Sequence, residues 1–241
     1  MNVILLEPAD FIAADRVRLY DRATDTRVRH IREVLGAKVS ATLRVGAVDG
    51  LLGSAEILQL DAAGIELRVT LSETPPAKLP LTLILALPRP KVLRRVLRTV
   101  AELGVPELIL LNTYKVEKSY WQSPALEAAR VREYFIEGLQ QARDSVLPTL
   151  RCETRFKPFV EDDLSTLAAG TAALVAHPGA DAATCPLALN RPCTLAIGPE
   201  GGFTPYELAK LQEAGLAQIQ LGERILRVEN ALTTLVARLF S

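Results

Sequence analysis

The sequence predicts an α/β protein in which a small, mainly β module precedes a larger domain built on a mostly parallel sheet. Two observations support this division. Residues 72–80, SETPPAKLP, contain three prolines and few large apolar residues, which is typical of a linker. The hydrophobic pattern also changes there, from short alternating runs to apolar strands separated by helical periods. The predicted boundaries are 1–71 for the first module, 72–80 for the linker and 81–241 for the second domain.

The first module has the pattern of a small β barrel. Its short apolar or alternating runs are separated by turn-forming residues such as Gly50 and Gly64. The segment Arg27–Leu35 is predicted to form a single helix within it. The predicted strands are Val3–Leu6, Ala41–Val45, Gly53–Leu60 and Ile65–Leu71.

The second domain begins with Leu81–Leu87, a continuous apolar run that is typical of a buried parallel strand. The helix that follows has an apolar stripe, and Gly104 is placed to end it. Thr204–Glu207 has the spacing of a capping box with proline at the first helical position, which predicts another helix start. The other predicted elements are strands at Glu107–Leu111, Ala172–Ala176, Thr194–Ile197 and Gln218–Leu221, and helices at Pro124–Arg143 and Val228–Phe240.

The composition is that of a soluble globular protein, with 49% hydrophobic and 23% charged residues. No apolar run is long enough to span a bilayer, and the first residues lack the basic start of a signal peptide, so we expect a cytoplasmic location. The 3 cysteines, Cys152, Cys185 and Cys193, are an odd number without a close-set pair, which favours reduced thiols. With only 2 histidines besides, we expect no metal site.

The charge is unevenly distributed although the formal net charge is zero. Basic residues are concentrated at 16–44 and again at 89–98. The second of these ranges contains no acidic residue. Such local patches on a neutral protein suit a nucleic acid that binds at a defined surface. They are equally compatible with two solvated faces.

Two glycine-containing turns each follow a predicted strand directly. They are IGPEGGF at Ile197–Phe203 and LGERILRVENA at Leu221–Ala231. Ligands of α/β sheets bind beyond the carboxyl ends of the strands, so both turns lie where a small molecule could bind. Neither turn has the glycine spacing of a phosphate-binding loop, and both could simply be tight connections between a strand and a helix.

The two turns together resemble the paired signature of the RsmE family of ribosomal RNA uridine-N3 methyltransferases, a branch of the SPOUT superfamily. The resemblance extends over essentially the whole chain. It includes HIREVL at His30–Leu35, LALPRPK at Leu85–Lys91, AELGV at Ala101–Val105 and AHPG at Ala176–Gly179.

The resemblance implies a PUA-like barrel followed by a trefoil-knotted α/β methyltransferase domain that works as a homodimer. It implies S-adenosylmethionine as cofactor and one uridine of 16S ribosomal RNA, within the small ribosomal subunit, as substrate. The residues that match the family's cofactor-binding loops are Ala176, His177, Pro178, Ile197, Gly198, Pro199, Glu200, Gly201, Leu221, Gly222, Ile225, Leu226, Arg227, Asn230 and Ala231.

Arg227 is the candidate catalytic residue, because a guanidinium near the base could stabilise negative charge that develops on uridine. Phosphate contact, or an ion pair with Glu229, is an equally open role for Arg227. Glu200 is expected to hold its turn by accepting backbone N–H bonds, and His177 is expected to shape its loop rather than act as a base. The candidate RNA-binding residues are Arg27, Arg29, His30, Arg32, Arg89 and Lys91.

Some positions depart from the family pattern. Asn230 stands where the family commonly has threonine, and Arg143 follows Gln-Gln-Ala instead of Glu-Gln-Ser. Two other functions remain open: a SPOUT methyltransferase that acts on another RNA, and a non-catalytic RNA-binding factor of ribosome assembly. Binding of the cofactor would separate the second of these from an enzyme.

Overall fold

The computed structural model describes residues 2–22, 25–179 and 182–240. Contacts divide the chain into two compact units. The first comprises the chain up to Ala77 together with Ile136–Leu147, and the second comprises Lys78–Phe135 and the chain from Pro148 onward. Among the described residues, no helix combines the length and the apolar character that crossing a membrane requires.

The first unit contains a 6-stranded sheet in the order β1-β4-β5-β6-β3-β2. Its long antiparallel pair, β5 with β6, forms the centre, and β1 pairs with β4 in parallel. The order ends at β1 and β2, so within the described residues the sheet is an open half-barrel, whereas the sequence predicted a barrel. The strands are β1 Ile4–Leu6, β2 Phe11–Ala13, β3 Arg16–Tyr20, β4 Thr42–Ala47, β5 Leu52–Asp61 and β6 Gly64–Glu73.

Alternation of side chains along these strands builds the core of the first unit. Val17 and Leu19 of β3 and Ile65 and Leu67 of β6 are fully buried, while the residues between them face outward. A short helix, α1 at Thr26–Arg29, continues as a π-helical turn at His30–Val34. The sequence predicted a single helix here, and its buried residues, Val28 and Ile31, pack on the same core.

The second unit contains a 7-stranded sheet in the order β11-β13-β10-β12-β7-β8-β9, and every pairing in it is parallel. All residues of β12 are buried, as are nearly all of β7. This explains why both strands read as continuous apolar runs. The strands are β7 Leu81–Ala86, β8 Glu107–Leu111, β9 Thr149–Glu153, β10 Ala172–Ala176, β11 Ala183–Thr184, β12 Cys193–Ile197 and β13 Ala217–Gln220.

Two predicted helix ends of this part of the chain are confirmed, the stop at Gly104 and the start at Thr204–Glu207. Gly104 takes the left-handed conformation, with φ of +70°, just beyond α2. The Thr204 hydroxyl accepts the backbone N–H of Glu207, whose carboxylate accepts the Thr204 N–H, as the capping box requires. The helices are α2 Pro90–Glu102, α3 Ala128–Ala142, α4 Phe156–Pro158, α5 Leu164–Ala168, α6 Pro205–Glu213 and α7 Val228–Phe240, with a π-helical turn at Phe159–Asp163 between α4 and α5.

The sequence did not predict β2, β3, β9, β11 or the helical stretch from α4 to α5. In β3 two arginines occupy the outward positions, and β9 has only two apolar residues, Leu150 and Cys152, so neither strand has a long apolar signal. The predicted helix Pro124–Arg143 begins later, at Ala128, after a 3-10 turn at Pro124–Leu126. All three cysteines are free thiols, as their spacing predicted.

Candidate functional site

A cavity of about 400 Å³ opens at the carboxyl ends of β10, β12 and β13. These three strands are neighbours in the sheet, and Ala176 is level with both Ile197 and Ile219, so the three loops that follow begin at one place. The volume lies in the range of about 300–1,000 Å³ that small-molecule sites occupy. The lining residues that the sequence predicted are Ala176, His177, Pro178, Ile197, Gly198, Pro199, Glu200, Gly201, Leu221, Gly222, Ile225, Leu226, Arg227 and Ala231.

Asn230 is the one predicted cofactor-binding residue that does not line this cavity. It is exposed on the first turn of α7, and Ala231 beside it faces the cavity instead. The structure adds lining residues that the sequence analysis missed. Val228, Ala231 and Leu235 are spaced as one face of a helix, a signal that could have identified the first and last of them. The missed residues are Gly202, Ile219, Gln220, Arg224, Val228 and Leu235.

Two glycines allow the loops to take their courses around the cavity. Gly222 has φ of +114°, a conformation that L-residues rarely adopt. A Cβ atom at Gly198 would lie 3.1 Å from Cδ2 of Phe203 and 3.2 Å from its backbone nitrogen. A side chain at Gly198 would therefore crowd Phe203 in the tight return of the chain at 198–203.

The loop between β13 and α7 presents apolar side chains to solvent. Ile225 is 83% exposed and Leu226 is 38% exposed, although both are large hydrophobic residues that line the cavity. Ile197 and Ile219 form a buried apolar floor at the strand ends. The cavity thus combines apolar walls with the backbone groups of tight loops, which suits a flat, heterocyclic ligand.

Contacts from outside the turn hold the 198–203 segment. The carboxylate of Glu200 accepts a hydrogen bond from the backbone N–H of Arg89 at 3.4 Å, and the Arg89 guanidinium lies 3.8 Å away. Glu200 was predicted to accept backbone N–H bonds, and the one it accepts belongs to the start of α2 rather than to its own turn. Lys115 donates a hydrogen bond to the Gly201 carbonyl oxygen at 2.6 Å.

His177 is half-buried at the end of β10 and lines the cavity. Burial, and then the nearby charge of Lys115, lower the pKa of His177 below its ordinary 6.5. Its backbone N–H bonds to the Ile219 carbonyl at 3.0 Å, and its own carbonyl accepts from the Gln218 side chain at 3.0 Å. These backbone bonds fix the loop after β10, and the loop-shaping role predicted for the His177 side chain stays a prediction.

Arg227 lines the cavity with an exposed side chain. The sequence left open an ion pair between Arg227 and Glu229, but the structure pairs Glu229 with Arg95 of α2 at 3.4 Å. Among the described residues, no carboxylate lies within ion-pair distance of Arg227. Its guanidinium is therefore available to a ligand or substrate.

The candidate RNA-binding residues of the first unit differ in how they are bonded. Arg27 is 14% exposed and bonds the carboxylates of Asp10 and Asp25 and the carbonyl oxygen of Leu5. Burial tends to lower the pKa of Arg27, but the hydrogen bonds to Asp25 and Asp10 raise it overall. This geometry assigns Arg27 a structural role, in place of the phosphate contact that the sequence predicted.

Arg32 is also engaged within the fold, where it pairs with Asp21 and the Asp61 carbonyl oxygen. His30 is partly buried beside it, whereas Arg29 is exposed. In the second unit, Arg89 and Lys91 are both exposed at the start of α2. Arg29, Arg89 and Lys91 thus have side chains that solvent or a nucleic acid can reach.

Comparison with known proteins identifies the class to which this fold and site belong. Residues 75–240 match the family model described as RNA methyltransferase domain. The chain is 30% identical, over 96% of its length, to ribosomal RNA small subunit methyltransferase E of Treponema pallidum, and covers 87% of that protein. It is 27% identical to the protein of the same name from Synechocystis, over 90% of this chain and 71% of that one.

The fold also matches a solved structure over nearly its whole length. That structure is a ribosomal RNA small subunit methyltransferase E from Neisseria gonorrhoeae bound to S-adenosyl methionine. The TM-score is 0.72 at 21% identity, with 98% of this chain and 95% of that chain covered. The chain belongs to the ribosomal RNA small subunit methyltransferase E family.

Proposed function

We propose that the protein transfers a methyl group from S-adenosylmethionine to N3 of one uridine in small-subunit (16S) ribosomal RNA. One observation carries this proposal. The three loops that follow the adjacent parallel strands β10, β12 and β13 line one cavity. These loops contain the motifs on which the family resemblance depends. The family's relatives are named as methyltransferases of this RNA, and the choice of the N3 atom comes from the resemblance of the two glycine turns.

The cavity fits S-adenosylmethionine in size and in the chemistry of its walls. Leu221, Ile225 and Leu226 offer apolar surface to an adenine ring, and the strand-end loops offer backbone donors and acceptors to its edge. When bound, the cofactor supplies a methyl group on a positively charged sulfonium. In a largely apolar cavity the protein's main contribution is to position the two reactants.

Arg227 is the residue to which we assign a catalytic role. Methylation at N3 forms the N–CH3 bond as the C–S bond of the sulfonium breaks, and the N3 proton passes to solvent water, so negative charge develops on the uracil ring as that proton leaves. An exposed guanidinium without a carboxylate partner would stabilise that charge through its N–H donors. His177 is neutral near pH 7 because its pKa is lowered, so its charge does not oppose the sulfonium.

The finer architecture is also part of the proposal. We assign the first unit to a PUA-like module that docks RNA through Arg29, and the second unit to a trefoil-knotted SPOUT domain. The homodimer is part of the proposal because the family resemblance implies it, and a second copy could cover the adjacent exposed side chains of Ile225 and Leu226. A cytoplasmic location follows from the proposed ribosomal substrate. Sedimentation of the purified protein tests the dimer.

The decisive experiment is methyl transfer from labelled S-adenosylmethionine to small ribosomal subunits that lack the modification. The modified base is mapped by mass spectrometry and by arrest of reverse transcription, because an N3 methyl group blocks Watson–Crick pairing. A single arrest site at a uridine supports the proposal. Transfer only to another RNA would refute the substrate, and absence of both transfer and cofactor binding would favour a non-catalytic assembly factor.

A further inference from the structure

A second cavity, of about 670 Å³, opens in the same unit at the carboxyl ends of β8 and β9 and the start of α6. β8 and β9 are neighbours in the sheet, so the segments that follow them begin side by side. The capping box at Thr204–Glu207 lies at its edge, but the proposed function does not use this cavity. It is lined by Asn112, Thr113, Tyr114, Val116, Lys118, Phe156, Lys157, Thr204, Tyr206 and Glu207.

The second cavity lies directly beside the first. Gly201 and Gly202 line the first cavity, and Thr204 lines the second, so one short segment of chain separates them. Lys115 bridges the same boundary, because it bonds the Gly201 carbonyl while its neighbour Tyr114 lines the second cavity. The segment 201–204 therefore contributes residues to both cavities.

The walls of the second cavity combine aromatic rings with positive charge. Tyr114 is 85% exposed and Tyr206 is 55% exposed, so both rings are open to a ligand, with Phe156 half-buried between the strands and α6. Lys118 has no carboxylate partner among the described residues. Lys157 has only a long contact of 3.9 Å with Glu161, and that pair is exposed. Aromatic rings bind unstacked bases and lysines bind phosphates, so this combination is typical of single-stranded nucleic-acid sites.

Buried polar groups give the cavity a fixed frame. Glu207 is 3% exposed, and its carboxylate accepts the Tyr114 N–H at 2.6 Å and both the N–H and the hydroxyl of Thr204, at 2.8 and 2.9 Å. These bonds satisfy the buried carboxylate and join the segment after β8 to the start of α6. The hydroxyl of Thr113 is buried, lines the cavity and has no hydrogen-bond partner in the part of the chain that is described. Buried hydroxyls are normally bonded, so this one has the capacity for a further partner at the cavity wall.

We propose that the second cavity binds an unstacked nucleotide of the substrate RNA, next to the nucleotide whose base enters the first cavity. The base stacks on Tyr114 or Tyr206, the Thr113 hydroxyl bonds its edge, and Lys118 and Lys157 contact the adjoining phosphates. This inference rests on the proposed function, because it takes the bound chain to be the RNA that is methylated.

The test uses Tyr114→Ala and Tyr206→Ala, each with a phenylalanine variant as matched control that keeps the ring. Both side chains are exposed, so truncation should leave folding intact. KM for small ribosomal subunits is measured, and fluorescence quenching of a single-stranded RNA hexamer with a central 2-aminopurine reports stacking. We expect the alanine variants to raise KM and the hexamer Kd about fivefold or more, and the phenylalanine variants to match the wild type.

Thr113→Val gives an independent readout, because it removes a buried hydroxyl at nearly constant volume. We expect it to weaken binding of the hexamer while stability is kept or increased. Unchanged KM and quenching in both alanine variants, with normal methyl transfer by the wild type, would overturn the inference and leave the proposed function standing. Tyrosine-dependent quenching in a protein that transfers no methyl group would support the nucleotide site and refute the proposed function. A loss confined to S-adenosylmethionine affinity, measured by calorimetry, would overturn the inference.

Discussion

The Nζ atom of Lys115 donates a hydrogen bond of 2.6 Å to the carbonyl oxygen of Gly201. The lysine stem packs closely on this turn, since a Cβ atom at Gly201 would lie 2.9 Å from Cδ of Lys115. The same ammonium group contributes to the lowered pKa of His177. One side chain from the segment after β8 therefore contacts the turn after β12 and influences the loop after β10.

Lys115→Met should raise the pKa of His177 toward its ordinary 6.5, because it removes a nearby positive charge and keeps most of the stem. An NMR titration of the histidine rings measures this, and His30→Gln assigns the signals, since the chain has only 2 histidines. The wild-type pKa should lie below 6.5, because burial is the larger cause. An unchanged or lower pKa in Lys115→Met would refute the contribution of Lys115.

The lowered pKa of His177 also sets the sign of its effect on stability. Below the unfolded pKa of about 6.5, the unfolded chain binds more protons at this site than the folded chain does. The contribution of His177 to the free energy of unfolding is therefore fully present above pH 6.5. It is lost as the pH falls through the pKa of His177 in the folded protein. The free energy of unfolding should fall less on acidification in His177→Gln than in the wild type.

The sequence predicted those features that depend on local pattern. The helical period of α7 identified its buried residues, and the glycine turns could be placed at one edge because parallel strands end together. The second cavity could not be predicted, because Tyr114 and Tyr206 are distant in sequence and no spacing rule links them. The structural role of Arg27 could not be predicted either, because its ion pair with Asp10 depends on how the chain folds back. Charge density along the chain does not show which arginines bond within the fold.

Arg227→Ala should lower kcat for methyl transfer about 100-fold, because it removes donors that stabilise charge only as the reaction proceeds. Affinity for S-adenosylmethionine, measured by calorimetry, should change little, since the proposed site would hold the cofactor's adenine through apolar walls and backbone groups. Arg227→Lys should recover part of kcat, because the positive charge returns without the planar donors.

Arg191→Ala serves as the matched control, because Arg191 is exposed and does not line the cavity. It should leave both kcat and KM unchanged. If Arg227→Ala raised KM for the RNA and left kcat intact, Arg227 would be a phosphate contact and not a catalytic residue.

Arg27→Ala should destabilise the first unit by about 3 kcal/mol or more, because it leaves the partly buried carboxylates of Asp10 and Asp25 without their shared partner. Arg29→Ala, the matched control two residues away, should leave stability within about 0.5 kcal/mol because Arg29 is exposed. Urea unfolding followed by far-UV circular dichroism measures both.

Binding of RNA should show the opposite ranking. Arg29→Ala should weaken binding to small-subunit RNA and reduce its dependence on salt, as loss of one phosphate contact does. Its affinity and salt dependence are measured at several salt concentrations. If Arg27→Ala were stable and fully folded but bound RNA more weakly, Arg27 would contact a phosphate after all, although its bonds to Asp10 and Asp25 argue against that.

Arg143→Gly should stabilise the protein, because Arg143 occupies a position that favours glycine. It follows α3 with φ of +58°, and the N–H of Asp144 bonds the Leu139 carbonyl at 3.0 Å. Gly104 follows α2 in the same motif, with φ of +70° and the N–H of Val105 bonded to the Val100 carbonyl at 3.1 Å. Non-glycine residues pay about 1–2 kcal/mol for this conformation, of which the entropy of glycine in the unfolded chain offsets part.

The net gain for Arg143→Gly should therefore be about 0.5–1 kcal/mol in the free energy of unfolding. The reverse change, Gly104→Ala, should cost about 1 kcal/mol, and the cost is conformational because a Cβ atom there meets nothing within 4 Å. Thermal and urea unfolding of the two variants measure these effects. If Arg143→Gly lowered stability, the arginine side chain would have to make a stabilising contact worth more than the cost of its backbone conformation. If Gly104→Ala raised stability, the conformational argument would be wrong.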